Sequence, residues 1–283
     1  MLLALIAERP FKLILLHLDY FHTEFSKMKD NTKNIVLVTG AATRIGQSIA
    51  LSLSQLGWIV AVHYGTSAAA ARETKEEIIS GGGEAEVFPA DLRDEYAVKK
   101  LVAVVKENLG PVTCLINNAS VFENDSIGSA TRETWDAHME VNLRAPFVLS
   151  QALANNLTET ETANIINIID QRVINLTPHF SSYTISKSAL WTLTQTLASA
   201  LAPKIRVNAV GPGPTLPSSH QSDGDFRRQY NSVPLERPVN VMEICSAVKF
   251  ILGSPSMTGQ LITIDAGQHL GWAQPGQQNF DEE

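Results

Sequence analysis

The sequence is poor in cysteine, in aromatic residues, in positive charge and in long apolar runs. Its two cysteines, Cys114 and Cys245, lie far apart in the chain. Such a pair makes neither a disulfide framework nor a zinc-ligand pattern, and it suits a reducing, cytoplasmic setting. Lysine and arginine number 22 against 29 acidic residues, a net charge of -7. That balance excludes the broad basic face that nucleic-acid binding requires. No stretch reaches the roughly eighteen apolar residues of a membrane span. The N-terminal apolar runs, Leu2–Ala7 and Leu13–Leu16, are broken by Glu8, Arg9, Pro10 and Lys12. A basic start, one continuous apolar run and a small-residue cleavage site are missing, so a secretory signal is not expected. Glu8, Asp19 and Glu24 argue against a mitochondrial presequence. We expect residues 1–33 to be a dispensable extension, with Met28 a candidate alternative start and a short docking helix the rival reading.

The 283 residues are 44% hydrophobic. A chain of that size buries about three quarters of its unfolded surface and needs no covalent staple. From Asn34 onward, short apolar runs alternate with segments of helical periodicity. The runs are Ile35–Thr39, Trp58–Tyr64, Glu86–Ala90, Val112–Asn117, Asn164–Ile169, Ile205–Val210 and Leu261–Ile264. Between them lie helical patterns, among them one from about Glu133 to Leu157, kinked at Pro146. Strands apolar throughout, each followed by a helix, predict an α/β fold: a Rossmann-like, doubly wound sheet of about seven parallel strands with helices on both faces. No repeat or linker divides residues 34–283, which read as one domain. The segment 211–240, rich in Gly, Pro, Ser and charge, reads as an irregular lid over a ligand. His220, Asp223 and Arg227 within it read as solvated. The Leu261–Trp272 region is a candidate interface.

The first strand runs into Thr39-Gly40-Ala41-Ala42-Thr43-Arg44-Ile45-Gly46. A glycine-rich turn between a first strand and a first helix offers backbone N–H groups and the positive helix end to a pyrophosphate. A plain helix N-terminus is the simpler account of the same glycines. The second strand ends His63-Tyr64-Gly65-Thr66-Ser67, with no acid between Gly57 and Glu73 to bind an adenine ribose diol. Without that carboxylate a 2′-phosphate is not repelled, and Arg44, Thr66 and Ser67 would attract it. NADP(H) is therefore expected over NAD(H), with packing the competing role for His63 and Tyr64.

Further along stand Asn117-Asn118-Ala119, Asn142, Asp170 and Tyr183-Thr184-Ile185-Ser186-Lys187, the last placing Tyr and Lys on one helix face. In this order, the set resembles the short-chain dehydrogenase/reductase family over about Asn34–Leu270. The resemblance implies a nicotinamide cofactor, a homotetramer, and catalytic positions at Asn142, Tyr183 and Lys187. It also implies cofactor contacts at Gly40, Ile45, Gly46, Asp91, Leu92, Asn118, Ala119, Pro212, Gly213 and Thr215. Two departures stand out. The family's serine, thirteen residues before the tyrosine, is Asp170, and the middle glycine of the nucleotide turn is Arg44. Both, with Asn117-Asn118-Ala119-Ser120-Val121-Phe122 and the His-Tyr strand end, are similar to the pteridine reductase branch. That branch often has a basic residue after His-Tyr, where this chain has Gly65 and Thr66.

A carboxylate accepts hydrogen bonds and cannot donate them. Asp170 therefore suits a substrate with N–H donors or a ring nitrogen awaiting a proton, and a pterin offers both. Phe122 would stack on the flat ring, Ser120 would bond it, and Arg44 would reach pyrophosphate and substrate. Lys187 would favour tyrosinate at Tyr183, and Asn142 would hold a water that links Lys187 to solvent. Each residue also has a structural role open to it: Asp170 a turn cap, Phe122 a loop anchor, Ser120 a turn residue, Asn142 a helix bond. The expected activity is NADPH-dependent reduction of a pterin-type ring. A carbonyl reductase of oxoacyl or sugar substrates, and a non-catalytic NADP-binding subunit, are the alternatives.

Overall fold

The computed structural model describes residues 34–218 and 221–271. The expectations for residues 1–33, His220 and Trp272 lie outside the described residues. Seven strands form one parallel sheet: β1 (Ile35–Val38), β2 (Ile59–Tyr64), β3 (Ala85–Pro89), β4 (Val112–Asn117), β5 (Ala163–Ile168), β6 (Ile205–Pro212) and β7 (Leu261–Ile264). Their spatial order is β3-β2-β1-β4-β5-β6-β7. The helices are α1 (Arg44–Ser54), α2 (Ala68–Ser80), α3 (Glu95–Leu109), α4 (Arg132–Met139), α5 (Ala145–Asn156), α6 (Ser181–Leu201), α7 (Asp223–Asn231) and α8 (Val241–Leu252).

Alternation along each buried strand builds two cores. Ile35, Leu37, Leu115 and Ile165 point to the face covered by Val98, Leu101 and Val105 of α3 and by Val148, Leu149 and Leu153 of α5. Val36, Val38, Ile116 and Ile166 point to the opposite face, under Ile49 and Leu53 of α1 and Ile244, Val248 and Ile251 of α8. A sheet apolar on both faces must be covered on both, which explains why these strands carry no polar alternation. The chain winds outward from β1 to β3, then starts again at β4 and winds the other way. In such a sheet the crevice opens beyond the carboxyl ends of the two central strands, here β1 and β4.

Two expectations are corrected. The pattern over Glu133–Leu157 is not one kinked helix, because α4 and α5 are joined by a π turn over Glu140–Arg144. Pro146 has no N–H to donate to the carbonyl of Asn142, four residues earlier, so the wide turn falls just ahead of it. The 211–240 stretch is not irregular throughout. β6 continues through Pro212, and α7 begins at Ser222, whose hydroxyl accepts from the Asp225 N–H while the Asp225 carboxylate bonds back to the Ser222 N–H. That reciprocal cap is the local signal for a helix start.

Candidate active site

A cleft of about 430 Å³ opens at the crevice between the ends of β1 and β4. One wall is the nucleotide turn. Gly40 has φ +61°, and a Cβ there would stand 3.0 Å from Ala119 Cα. Gly46 is buried in the first turn of α1, where a Cβ would meet the Gly40 carbonyl and lie 2.5 Å from Asn118 Nδ2. The Asn118 amide fills that space by donating to the Thr39 carbonyl at 2.8 Å and the Gly40 carbonyl at 3.3 Å. Thr39 Oγ1 accepts the Asn118 and Ala119 backbone N–H groups at 2.9 and 3.0 Å. Two adjacent strand ends are thus laced together beneath a bare backbone surface, the form a pyrophosphate requires. Arg44 has φ +58°. It adopts the left-handed conformation usual for glycine, at a cost of about 1–3 kcal/mol. Its guanidinium donates to the carbonyls of Pro217 at 2.9 Å and Leu216 at 3.4 Å.

The other wall is built by β5 and α6. The Tyr183 hydroxyl donates to Asp170 Oδ2 at 3.0 Å. Asp170 Oδ1 accepts the Arg172 N–H at 2.8 Å, so the carboxylate caps a 3-10 turn over Gln171–Val173 and contacts the tyrosine together. Lys187, 2% exposed, donates to the Ile168 carbonyl at 2.9 Å, and its Nζ lies 5.7 Å from the Tyr183 ring centre. Burial lowers its pKa to about 8, and the Asp170 carboxylate opposes that shift. Ser120, Phe122, Pro212, Gly213 and Thr215 also line the cleft, as does Ile45.

Other expected residues stand elsewhere. His63 is buried and faces no cleft; its Nδ1 accepts from the Gly40 N–H at 3.1 Å and its Nε2 lies 3.1 Å from the Ala90 carbonyl. Burial drops its pKa to about 4, so the ring is neutral, with Nε2–H as the donor. It pins the turn from behind. Leu92 is buried in the core, and Tyr64 is packed against the core from the end of β2. Thr66 and Ser67 are exposed before α2, and Asp91 is exposed and paired to Arg93. The Asn142 side chain is bonded to protein groups throughout. Its Oδ1 accepts from Val121 N–H at 2.8 Å and Ser120 Oγ at 3.2 Å, and its Nδ2 donates to Val121 O at 3.0 Å and Ser186 Oγ at 3.1 Å. All four bonding positions of that amide are filled.

Sequence reasoning missed Phe180 and Arg172. The Phe122 ring stacks on Phe180 with centres 4.5 Å apart and meets the Tyr183 ring in a T-shaped contact at 4.7 Å. The Arg172 guanidinium lies over the Phe180 ring at 4.7 Å and the Phe122 ring at 5.4 Å, and it lines the cleft. One aromatic plane of Phe122 is therefore taken by the protein itself. The signal for Phe180 was its position just before the Ser181–Tyr183 helix start, where it holds φ +53°.

Residues 34–227 match the short chain dehydrogenase family model. The chain belongs to that family. Among solved structures, FolM alternative dihydrofolate reductase 1 from Brucella canis, complexed with NADP, is 44% identical with a TM-score of 0.83, covering 86% of this chain and 96% of that one. The Brucella suis protein of the same description, also in complex with NADP, is 44% identical with a TM-score of 0.83, covering 86% and 97%. A curated relative, the 3-oxoacyl-[acyl-carrier-protein] reductase of Synechocystis, is 28% identical over 83% of this chain and 97% of its own. The resemblance to pteridine reductases and the doubly wound sheet are borne out. Among the described residues, no helix is long and apolar enough to cross a membrane.

Proposed function

We propose that the protein is an NADPH-dependent reductase of a pterin-type ring, such as a dihydropterin or a dihydrofolate-like substrate. The observation that carries this reading is the Tyr183 hydroxyl bonded to the Asp170 carboxylate at 3.0 Å, beside the Phe122–Phe180 stack. In a carbonyl reductase the equivalent side chain must donate to a carbonyl oxygen, and an ionised carboxylate cannot. Asp170 instead accepts ring N–H groups and orients the phenol.

The residues fit a dinucleotide: a Cβ at Gly40 or Gly46 would fill the cradle that a pyrophosphate needs. NADP(H) is favoured by the absence of an acid between Gly57 and Glu73 and by the two Brucella relatives, both complexes with NADP. The cofactor supplies a hydride when bound. Tyr183 delivers the matching proton from its hydroxyl to the ring nitrogen. A phenol is a weak acid at neutral pH, and the Lys187 ammonium favours the tyrosinate left behind. Asp170 holds the ring edge, Phe122 covers one face, and Ser120 and Arg44 border the ring and the phosphates. The stretch after β6, tied to Arg44 through Leu216 and Pro217, acts as the lid.

Steady-state oxidation of NADPH against a panel of oxidised and dihydro pterins tests the reading; no turnover with any of them would sink it. The carbonyl-reductase alternative has the Synechocystis relative behind it. Asp170→Ser separates the two, because it should abolish pterin reduction and preserve or raise carbonyl reduction. A homotetramer remains part of the proposal. It is supported by Met242 and Phe250, 47% and 60% exposed on α8 beside edge strand β7. Light scattering of the purified protein gives the mass directly.

A further inference from the structure

Beneath the cleft lies a buried cluster that the reaction does not use directly. His138 of α4 and Ser182 of α6 are fully buried, and Asp125 is 2% exposed. The Glu123 N–H donates to His138 Nε2 at 3.1 Å. That nitrogen therefore carries a lone pair, and the ring proton sits on Nδ1, 2.6 Å from Ser182 Oγ. The Ser182 hydroxyl in turn donates to Asp125 Oδ2. Asp125 Oδ1 accepts the Ser182 N–H at 3.0 Å, and its carbonyl accepts the Ser181 N–H at 3.2 Å. Every proton in this chain has one direction. Burial lowers the pKa of His138 against the opposing pull of Asp125 and Glu123, with Lys187 adding to the lowering, so the neutral ring that the geometry demands is the favoured form. The serine is enclosed and gives its proton to a carboxylate, so the trio is no nucleophilic set.

The trio joins the irregular loop after β4 to the N-terminus of α6. That loop carries Phe122, and its other flank, Val121, is gripped by Asn142. Phe122 thus hangs between two side-chain clamps, in T-shaped contact with the Tyr183 ring. We propose that the Asp125–Ser182–His138 chain is a specificity-determining latch that holds Phe122 against Tyr183 and so fixes the aromatic wall of the cleft that a flat acceptor ring meets. The latch stands on the geometry alone; that its ring is a pterin rests on the function proposed above. Tyr183 keeps its own supports, Asp170 and α6, so loosening the latch acts on substrate affinity before it acts on chemistry.

The test uses the full-length enzyme and two substitutions that keep different halves of the imidazole. His138→Asn retains the donor to Ser182 and removes the acceptor for Glu123. His138→Gln retains that acceptor. In His138→Asn, the KM for a dihydropterin should rise about tenfold, the worth of one lost hydrogen bond, with kcat within threefold and NADPH affinity within twofold. Hydrogen exchange of the peptide spanning 119–126 should accelerate. His138→Gln keeps the Glu123 tie to the Phe122 loop but loses the one to Ser182, and should raise KM and exchange by less than His138→Asn does. Should His138→Asn not fold, Ser182→Ala carries the same expectation. Unchanged exchange with unchanged KM would overturn the latch, as would a fall in kcat at constant KM. If wild type reduces no pterin, the exchange arm still judges the latch, while the identity of the ring falls with the parent reading.

Discussion

Gly46→Ala puts one methyl group where the structure has room for none. The new Cβ would lie 2.5 Å from Asn118 Nδ2 and 2.9 Å from the Gly40 carbonyl carbon. Ordinary contact lies near 3.5 Å, so α1 and the turn must separate by roughly 1 Å. Neither obstacle is a free side-chain end: one is backbone, and the other is an amide already bonded to the Thr39 and Gly40 carbonyls. Forcing a methyl into a site this tight costs about 1–3 kcal/mol. Part of the cost falls on folding and lowers the melting temperature, by about 2–4 °C per kcal/mol for a domain of this size. The remainder falls on the bound state, because a displaced turn aims its N–H groups away from the pyrophosphate. Placed wholly there, the same cost weakens NADPH binding about 5- to 150-fold. A fluorescence titration with NADPH and a thermal melt measure the two parts together. A dissociation constant within twofold of wild type, with an unshifted melt, would refute the reasoning.

Four more expectations concern the opposite wall. Reduction needs Lys187 as the ammonium, so kcat/KM should be highest well below pH 8 and fall as pH rises through about 8; Lys187→Arg should carry that limb beyond the measurable range. Because the folded state lowers this pKa, it binds fewer protons than the unfolded chain between about pH 8 and 10.5. Stability contributed by this group should therefore increase with pH across that window in denaturant titrations, and Lys187→Met should lack the increase. Asp170→Asn keeps an acceptor for the Arg172 N–H but sets a donor near the phenol; it should reduce pterin turnover about 10- to 100-fold with little change in the melt, the reverse of a purely structural cap. Phe180→Ala removes the partner stacked at 4.5 Å and should destabilise the fold by about 3–5 kcal/mol while raising the substrate KM, both readable by melting and kinetics.

The sheet was legible because each strand is apolar on both faces and each helix announces its period. Strand positions agree to within a residue or two. The largest difference is at β6, which runs two residues past Val210 so that Pro212 pairs opposite Ile264 at the strand terminus. The π turn was hidden because residues 133–157 keep a helical pattern through it. The missed helix α7 has no buried residue, and its apolar face is limited to the Phe226–Tyr230 pair. At the site, residues fixed by chain order, such as Tyr183 and Lys187, could be placed from spacing. His63 could not, because its role depends on Gly40 lying 23 residues away. Phe180, Arg172 and His138 acquire meaning through contacts between loops that share no local pattern.

Arg44 takes part in both sides of the cleft. Its backbone forms the nucleotide turn, and its guanidinium holds the carbonyls of Leu216 and Pro217 beyond β6. A ligand that draws that guanidinium toward the turn must loosen those two carbonyls, and a ligand that presses the segment down must stiffen the turn. Free-energy linkage makes the two effects equal. Cofactor affinity and closure over the second substrate are then a single coupled quantity, carried by one side chain.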